Sequence, residues 1–441
     1  MIDMFASLQR VNQQLSDVLS YEFVEGLAKS IGMQWRKRTL TPVVMVRLLV
    51  LQILHCNTAY SHLPRASRLK FTSAAFCEAK KKLPLALLAK LIEAIWHRCT
   101  DGEDATRFRG HRTFYTDGSS ASMPDTPSLQ QCYGMPSGMK AGCGFPVMKL
   151  LMLFDAATGM IRQVLINPYR SHELPLSQQL HPLLNHGDLL IGDRGFCSFV
   201  HMANLVRAGL HGLFRLQQKV QANFEPEHRK DGFLRKAKLK MLGPNDQIVL
   251  YAKPLKCPKW MNQKQYDALP MELPLRELRY SVGRVGFRSQ RITLLTTLLD
   301  PEQYPAAELA ELYGRRWQVE LNFRHLKTTL KMEVLHGKSP KMVETEILAY
   351  VLVYNLVQLV VHEAAARQCV APQRISFVDT VRWILHADPD QDMPPILVNP
   401  DRPGRFEPRV RKRRHNGFSY MMRPRAELKE MIARGENIGC R

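Results

Sequence analysis

HRTFYTDGS (residues 111–119) and DLLIGDRGF (residues 188–196) decide how this chain is read. Each is a short run of strand-forming residues that stops at an aspartate, Asp117 in the first and Asp193 in the second, beside a turn-forming glycine. Between them lie PVMKLLMLFDAATG (146–159) and MIRQVLINPY (160–169), two apolar runs separated by the turn signal Asp155 to Gly159. Residues 171–184 have helical composition and end near Asn185-His186-Gly187. Beyond Asp193, residues 199–208 look helical and LHGLFRLQ (210–217) reads as a further strand.

The resulting order is strand, strand, strand, helix, strand, helix, strand, which is that of an RNase H-like α/β fold. It predicts that Asp117 and Asp193 stand at the ends of two neighbouring strands. Working outward, residues 1–105 read as helical, with 14 Lys+Arg against 6 Asp+Glu in the first hundred, about +8 of the total charge. Thr41-Pro42 is a helix start, residues 59–69 form a second short helix, and a third starts near Thr72-Ser73 and stops before Pro84. That third helix carries Lys80, Lys81 and Lys82, as a helix-turn-helix reader of DNA would, or as the solvated face of a small bundle would. As a separable DNA-binding domain, residues 1–105 are expected to be removable with loss of end discrimination and a core that stays folded. Residues 106–217 and 300–370 form the expected catalytic core. Residues 218–299 read as a β-rich insertion with basic loops around residues 236–240 and 253–264. Residues 371–441 are a C-terminal basic region, with 7 basic residues against one acid in 402–414, read as an extended arm.

The most informative helix is LAELYGRRWQVELNFRHLKTTLK (309–331), part of one amphipathic helix expected from Tyr304-Pro305 to about Met332. At 100° per residue, Tyr313, Arg316, Glu320 and Lys327 fall in one sector of about 60°, beside an apolar stripe of Leu312, Val319, Phe323, Leu326 and Leu330. One face packs, and the next presents a carboxylate among cations and a phenol. Alone, this is also the look of a surface ion-pair ladder. Joined to two strand-end aspartates, it supplies what two-metal phosphoryl transfer needs: carboxylates for hard cations, and cationic side chains for phosphates.

Composition agrees. The chain has 441 residues and 62 Lys+Arg against 40 Asp+Glu, a net charge of +22 that points to a polyanionic partner. Hydrophobic residues at 45% exclude a mostly disordered chain. The longest apolar stretch, residues 347–361, contains Tyr350, Tyr354, Asn355 and Gln358 and is too short to span a bilayer, and the N-terminus has no signal-peptide core. Nine scattered cysteines without a C-x-x-C suit a reducing cytoplasm and no membrane partner.

The spacing Tyr, two residues, Arg, three residues, Glu, six residues, Lys stands complete at Tyr313, Arg316, Glu320 and Lys327. With YTDGS and IGDRGF it resembles the DDE transposases of bacterial insertion sequences, in the insertion-sequence-four group, over roughly residues 30–425. The resemblance implies that Asp117, Asp193 and Glu320 are a catalytic triad binding two Mg²⁺ ions, or Mn²⁺ in their place. It implies that Tyr313, Arg316 and Lys327 grip phosphates, and that a homodimer synapses the inverted-repeat ends of an element in double-stranded DNA. Water would nick one strand, the freed 3′-hydroxyl would form a hairpin, water would reopen it, and the 3′ end would attack target DNA. The expected location is the bacterial cytoplasm, at the nucleoid. Related enzymes stack a flipped base on a tryptophan, for which Trp260 and Trp317 are candidates, packing being the other use of each. His325 and His336 are expected outside the chemistry, and nothing in the spacing selects His172 or Glu173. The alternatives are a nuclease or resolvase on the same core, and an inactive DNA-binding derivative.

Overall fold

The computed structural model describes residues 18–36, 38–100, 107–136, 140, 142–218, 220, 222–224, 230–231, 236–282, 290–388, 391–400 and 421–436. The N-terminal region is a set of helices, α1 (Tyr21–Ser30), α2 (Pro42–Leu54), α3 (Leu63–Ser67), α4 (Ser73–Lys82) and α5 (Leu85–Thr100). Their starts follow side-chain capping: Ser20, Thr41 and Thr72 accept from the Phe23, Val44 and Ala75 amides, and Pro42 opens α2. The short helix expected over 59–69 is a 3₁₀ turn (Tyr60–His62) followed by α3.

The centre is one mixed sheet of ten strands in the order β3-β2-β1-β4-β5-β10-β9-β8-β7-β6. Strand β1 (Thr113–Ser122) pairs antiparallel with β2 (Val147–Asp155), which pairs antiparallel with β3 (Ile161–Pro168). On its other side β1 is parallel to β4 (Leu189–Gly192), and β4 is parallel to β5 (His211–Arg215). The helices between are α6 (Pro127–Tyr133), α7 (Glu173–Ser177) and α8 (Phe199–Arg207).

The β-rich stretch adds β6 (Lys230–Asp231), β7 (Lys236–Gly243), β8 (Asp246–Ala252), β9 (Glu272–Val282) and β10 (Gln290–Thr296), with the short α9 (Gln263–Asp267). Residues 236–240, read from sequence as a basic loop, belong to β7. These strands continue the same sheet, because β10 pairs antiparallel with β5 and so covers the backbone groups β5 would otherwise leave open.

The chain returns through α10 (Ala306–Gly314), α11 (Trp317–Arg324) and a π turn over His325–Thr329. The single helix expected here is therefore interrupted. After Gly314 the amides of Arg316, Gln318 and Val319 bond to carbonyls three residues back, and Leu330 N bonds to His325 O five back. Helix α12 (Pro340–Arg367) then runs through the core, followed by α13 (Phe377–His386) and α14 (Arg425–Ala433).

Among the described helices, α12 alone is long and apolar enough to cross a membrane, but its most apolar window is 83% buried inside the protein. Its polar groups are spent on the sheet side: Asn355 bonds both the N–H and the C=O of Ile161, and Tyr354 donates to Gly159 O. Helices α2 and α5 pack on α12, and α5 also packs on β3. Leu88, Leu91, Ile92 and Ile95 of α5 are accordingly buried. The N-terminal helices thus pack into the same core as α12, which argues against the core surviving their removal.

The basic residues 402–414 lie outside the described residues. Both flanks are docked: Asn399 N bonds Arg374 O, Met421 N bonds Cys143 O, and Arg425 of α14 pairs with Asp125 at 3.0 Å.

Candidate active site

Parallel pairing of β1 with β4 runs from Thr113↔Leu189 to Thr116↔Gly192 and stops there. Asp117 and Asp193 are the next residue on each strand. Asp193 leaves the sheet at a 3₁₀ turn, Arg194–Phe196, which it caps. Asp117, expected at a strand end, instead lies within β1, which continues against β2 as far as Ser122. The two carboxylates still share one level, because β4 ends beside Asp117.

Asp117 Oδ1 accepts from the Gly118 amide at 2.8 Å, and Oδ2 accepts from Arg316 Nη1 at 3.2 Å. Burial pushes the Asp117 carboxyl up to about 6; Arg316 and the Gly118 amide oppose this, and the charges of Asp193 and Glu173 add to it. Burial opposes the Arg316 charge, yet Tyr313, Asp117 and Asp193 hold its pKa above the usual guanidinium range. The site is a half-buried pair of aspartates with the Arg316 guanidinium bonded to Asp117.

Glu320 is exposed on α11, and it faces the same cleft as Asp117, Ser119, Phe323, Arg324, Lys327, Thr328 and Glu333. The packed face of this segment holds it down: Val319, Leu326 and Leu330 are buried, and Phe323 meets Phe154 of β2 edge-on at 5.4 Å. Beyond the π turn, Ser122 N bonds Glu333 O and Leu335 N bonds Ser122 O, which fixes the cleft floor to the end of β1. Lys327 is half-buried, and burial lowers its pKa against the pull of Glu333.

Other expected site residues are distributed differently. Tyr313 is buried at 5% exposure, off the polar face it was expected to share with Glu320, because the helix breaks between them. The Arg316 guanidinium lies 5.7 Å from its ring centroid. Trp317 is 62% exposed on α11, whereas Trp260 is partly buried and packed against the core. Lys80, expected on a DNA-facing surface, is 1% exposed and donates to the Tyr60 hydroxyl at 3.3 Å, so it belongs to the core. Lys81 is exposed and paired with Glu78 at 2.6 Å, and Lys82 is exposed. Sequence spacing gave no reason to select Glu173, which stands beside Gly118 and Gly195; only the approach of α7 to the two aspartates reveals it.

Among the described residues, no three or more His, Cys, Asp or Glu side chains are gathered closely enough to hold a metal ion. Asp117 and Asp193 are nonetheless the donor type a hard divalent cation takes, and a cationic group already lies on Asp117.

The family model described as "Transposase DDE domain" matches residues 104–356, more than half the chain and a range that contains Asp117, Asp193 and Glu320. The transposase InsG of insertion sequence element IS4 from Escherichia coli (strain K12) is 24% identical over 401 residues, covering 87% of this chain and 85% of the relative. The transposase of insertion sequence element IS421 from Escherichia coli is 38% identical over 64 residues, 14% of this chain and 17% of that one. A solved structure of the piggyBac transposase synaptic complex with hairpin DNA aligns with a TM-score of 0.44 at 12% identity, over 87% of this chain and 80% of the other. The chain belongs to the DDE transposases, enzymes of DNA strand cleavage and strand transfer.

Proposed function

We propose that this transposase binds the inverted-repeat ends of its own insertion sequence, cuts them and joins them to target DNA by two-metal-ion phosphoryl transfer. The observation that carries the reading is the pair Asp117 and Asp193, each the next residue after the pairing of the parallel strands β1 and β4 ends, with Glu320 facing the Asp117 cleft. The run β3-β2-β1-β4-β5 supports an RNase H-like core, with the remaining five strands as an extension.

The donor set fits Mg²⁺ or Mn²⁺: hard oxygen ligands, one of them half-buried and already drawn to a cation. When bound, such ions activate the attacking oxygen and stabilise the leaving one. Asp117 and Asp193 would hold them from the sheet, and Glu320 from α11. Arg316, bonded to the Asp117 carboxylate, would also donate to a phosphate oxygen of the DNA. Lys327, on the same cleft, neutralises a second phosphate. Excision through a hairpin, action as a homodimer on paired ends, and base stacking on exposed Trp317 follow from the family resemblance and belong to this reading.

The test is nicking of a labelled duplex carrying an element end, with Mg²⁺, beside a binding assay on the same preparation. Asp193→Asn, Asp117→Asn and Glu320→Gln should bind ends and make no nick. Near-normal nicking by Asp193→Asn would remove it from the triad. Joining of the cut end to a second duplex separates a transposase from a nuclease or resolvase on the same core, which would hydrolyse only.

A further inference from the structure

Glu173 opens the short helix α7, which packs against both β2 and the 3₁₀ turn that follows Asp193. Its carboxylate lies against two glycines. A Cβ built on Gly118, the residue after Asp117, would come 2.5 Å from Glu173 Oε1, a distance no real contact tolerates. A Cβ on Gly195, two residues past Asp193, would lie 3.7 Å from Oε2. The Glu173 carboxylate therefore fills the space a side chain at residue 118 would take and lies near Gly195, in a notch that exists because residue 118 has no side chain. Among the described residues that carboxylate pairs with Lys149 Nζ on β2, 3.6 Å from Oε1. The charges gathered here are then Asp117, Asp193 and Glu173 against Arg316 and Lys149.

We propose that Glu173 is a positioning residue for the reaction: it wedges the Asp117 and Asp193 backbones at a fixed spacing, and its charge strengthens their hold on a divalent cation. The inference rests on the two-metal reading and adds a residue to it. Glu173 acts through the aspartates, as partners of metal ligands commonly do, where substitution costs about 10–100-fold in affinity. The wedge also explains why the strand that carries Asp117 places glycine next, where a β-branched residue would suit a strand better.

The experiment measures Mn²⁺ binding to the full-length protein directly, by electron paramagnetic resonance titration without DNA. Glu173→Gln keeps the shape and removes the charge, and should bind Mn²⁺ about tenfold more weakly with an unchanged circular dichroism spectrum. Gly118→Ala should also bind weakly, because its new methyl displaces Glu173. The double variant Gly118→Ala/Glu173→Asp, whose shorter acid makes room for that methyl, should regain most of the affinity. Wild-type Mn²⁺ affinity in Glu173→Gln overturns the proposal, and failure of the double variant to recover overturns the wedge. Asp117→Asn and Asp193→Asn run alongside: if they lose Mn²⁺ while Glu173→Gln does not, only the role of Glu173 falls. If they too bind as wild type, the two-metal reading falls with it.

Discussion

Lys80, Lys81 and Lys82 follow one another on α4 and meet three environments: core, ion pair and solvent. Lys80 runs its stem into the core and ends at the Tyr60 ring and hydroxyl, with burial lowering its pKa. Lys80→Ala should leave a cavity and cost about 2 kcal/mol or more in urea unfolding, with DNA binding per folded molecule unchanged. Loss of binding at full stability would return Lys80 to the surface role.

A second residue-scale device is the stacked pair His181 and His201, with Nε2 atoms 3.0 Å apart. His201 Nδ1 faces the Phe196 carbonyl and must donate, so in the neutral pair His181 donates to His201 Nε2. Burial pulls His181 down to about 3 and His201 down to about 4, from an ordinary value of 6.5. The unfolded chain therefore takes up protons first as pH falls. The pair's contribution is complete above pH 6.5 and is lost progressively toward about 4. Urea midpoints between pH 8 and 4 should fall in that window, and fall less steeply in His181→Gln/His201→Gln.

At the scale of the element, the segment from Ala306 to Thr329 departs from the straight helix its periodicity suggests. The apolar stripe was legible because Val319, Leu326 and Leu330 recur at helical spacing, and all three are buried. The tightening after Gly314 and the π turn were not legible, since a wheel at 100° per residue assumes an unbroken ladder. Their effect is to sink Tyr313 while leaving Glu320 on the cleft. Two residues past the π turn stands Lys331, an exposed residue held at φ +68°. Lys331→Gly should relieve this left-handed position and raise stability by up to about 1 kcal/mol, read as a higher urea midpoint. An unchanged or lower midpoint would mean the lysine stem repays its own strain.

For the whole molecule, the apolar surface of α12 is shared between the sheet on one side and α2 and α5 on the other. Removing residues 1–105 would uncover the part of the α12 surface that α2 and α5 now cover. The truncated chain should therefore elute as aggregate and melt without a cooperative transition, checked by size exclusion and circular dichroism. A monodisperse, cooperatively melting fragment would show that the N-terminal helices form a separate unit. Their contribution to end recognition is better tested in the full chain, with Lys82→Ala in a gel shift at fixed salt.

The α/β alternation, the strand of DLLIGDRGF, the capped helix starts and the spacing from Tyr313 to Lys327 are local properties, set by side-chain period and capping chemistry within a dozen residues. Those the sequence by itself determined. The tertiary structure decided that residues 230–296 extend the first sheet, since only the open edge of β5 calls for β10. It also decided that Arg316 meets Asp117 across 199 residues of chain, that Lys80 is core, and that Glu173 stands between two aspartates. These depend on which surfaces meet when the elements close on α12, and no periodicity along the chain records a distance between residues so far apart.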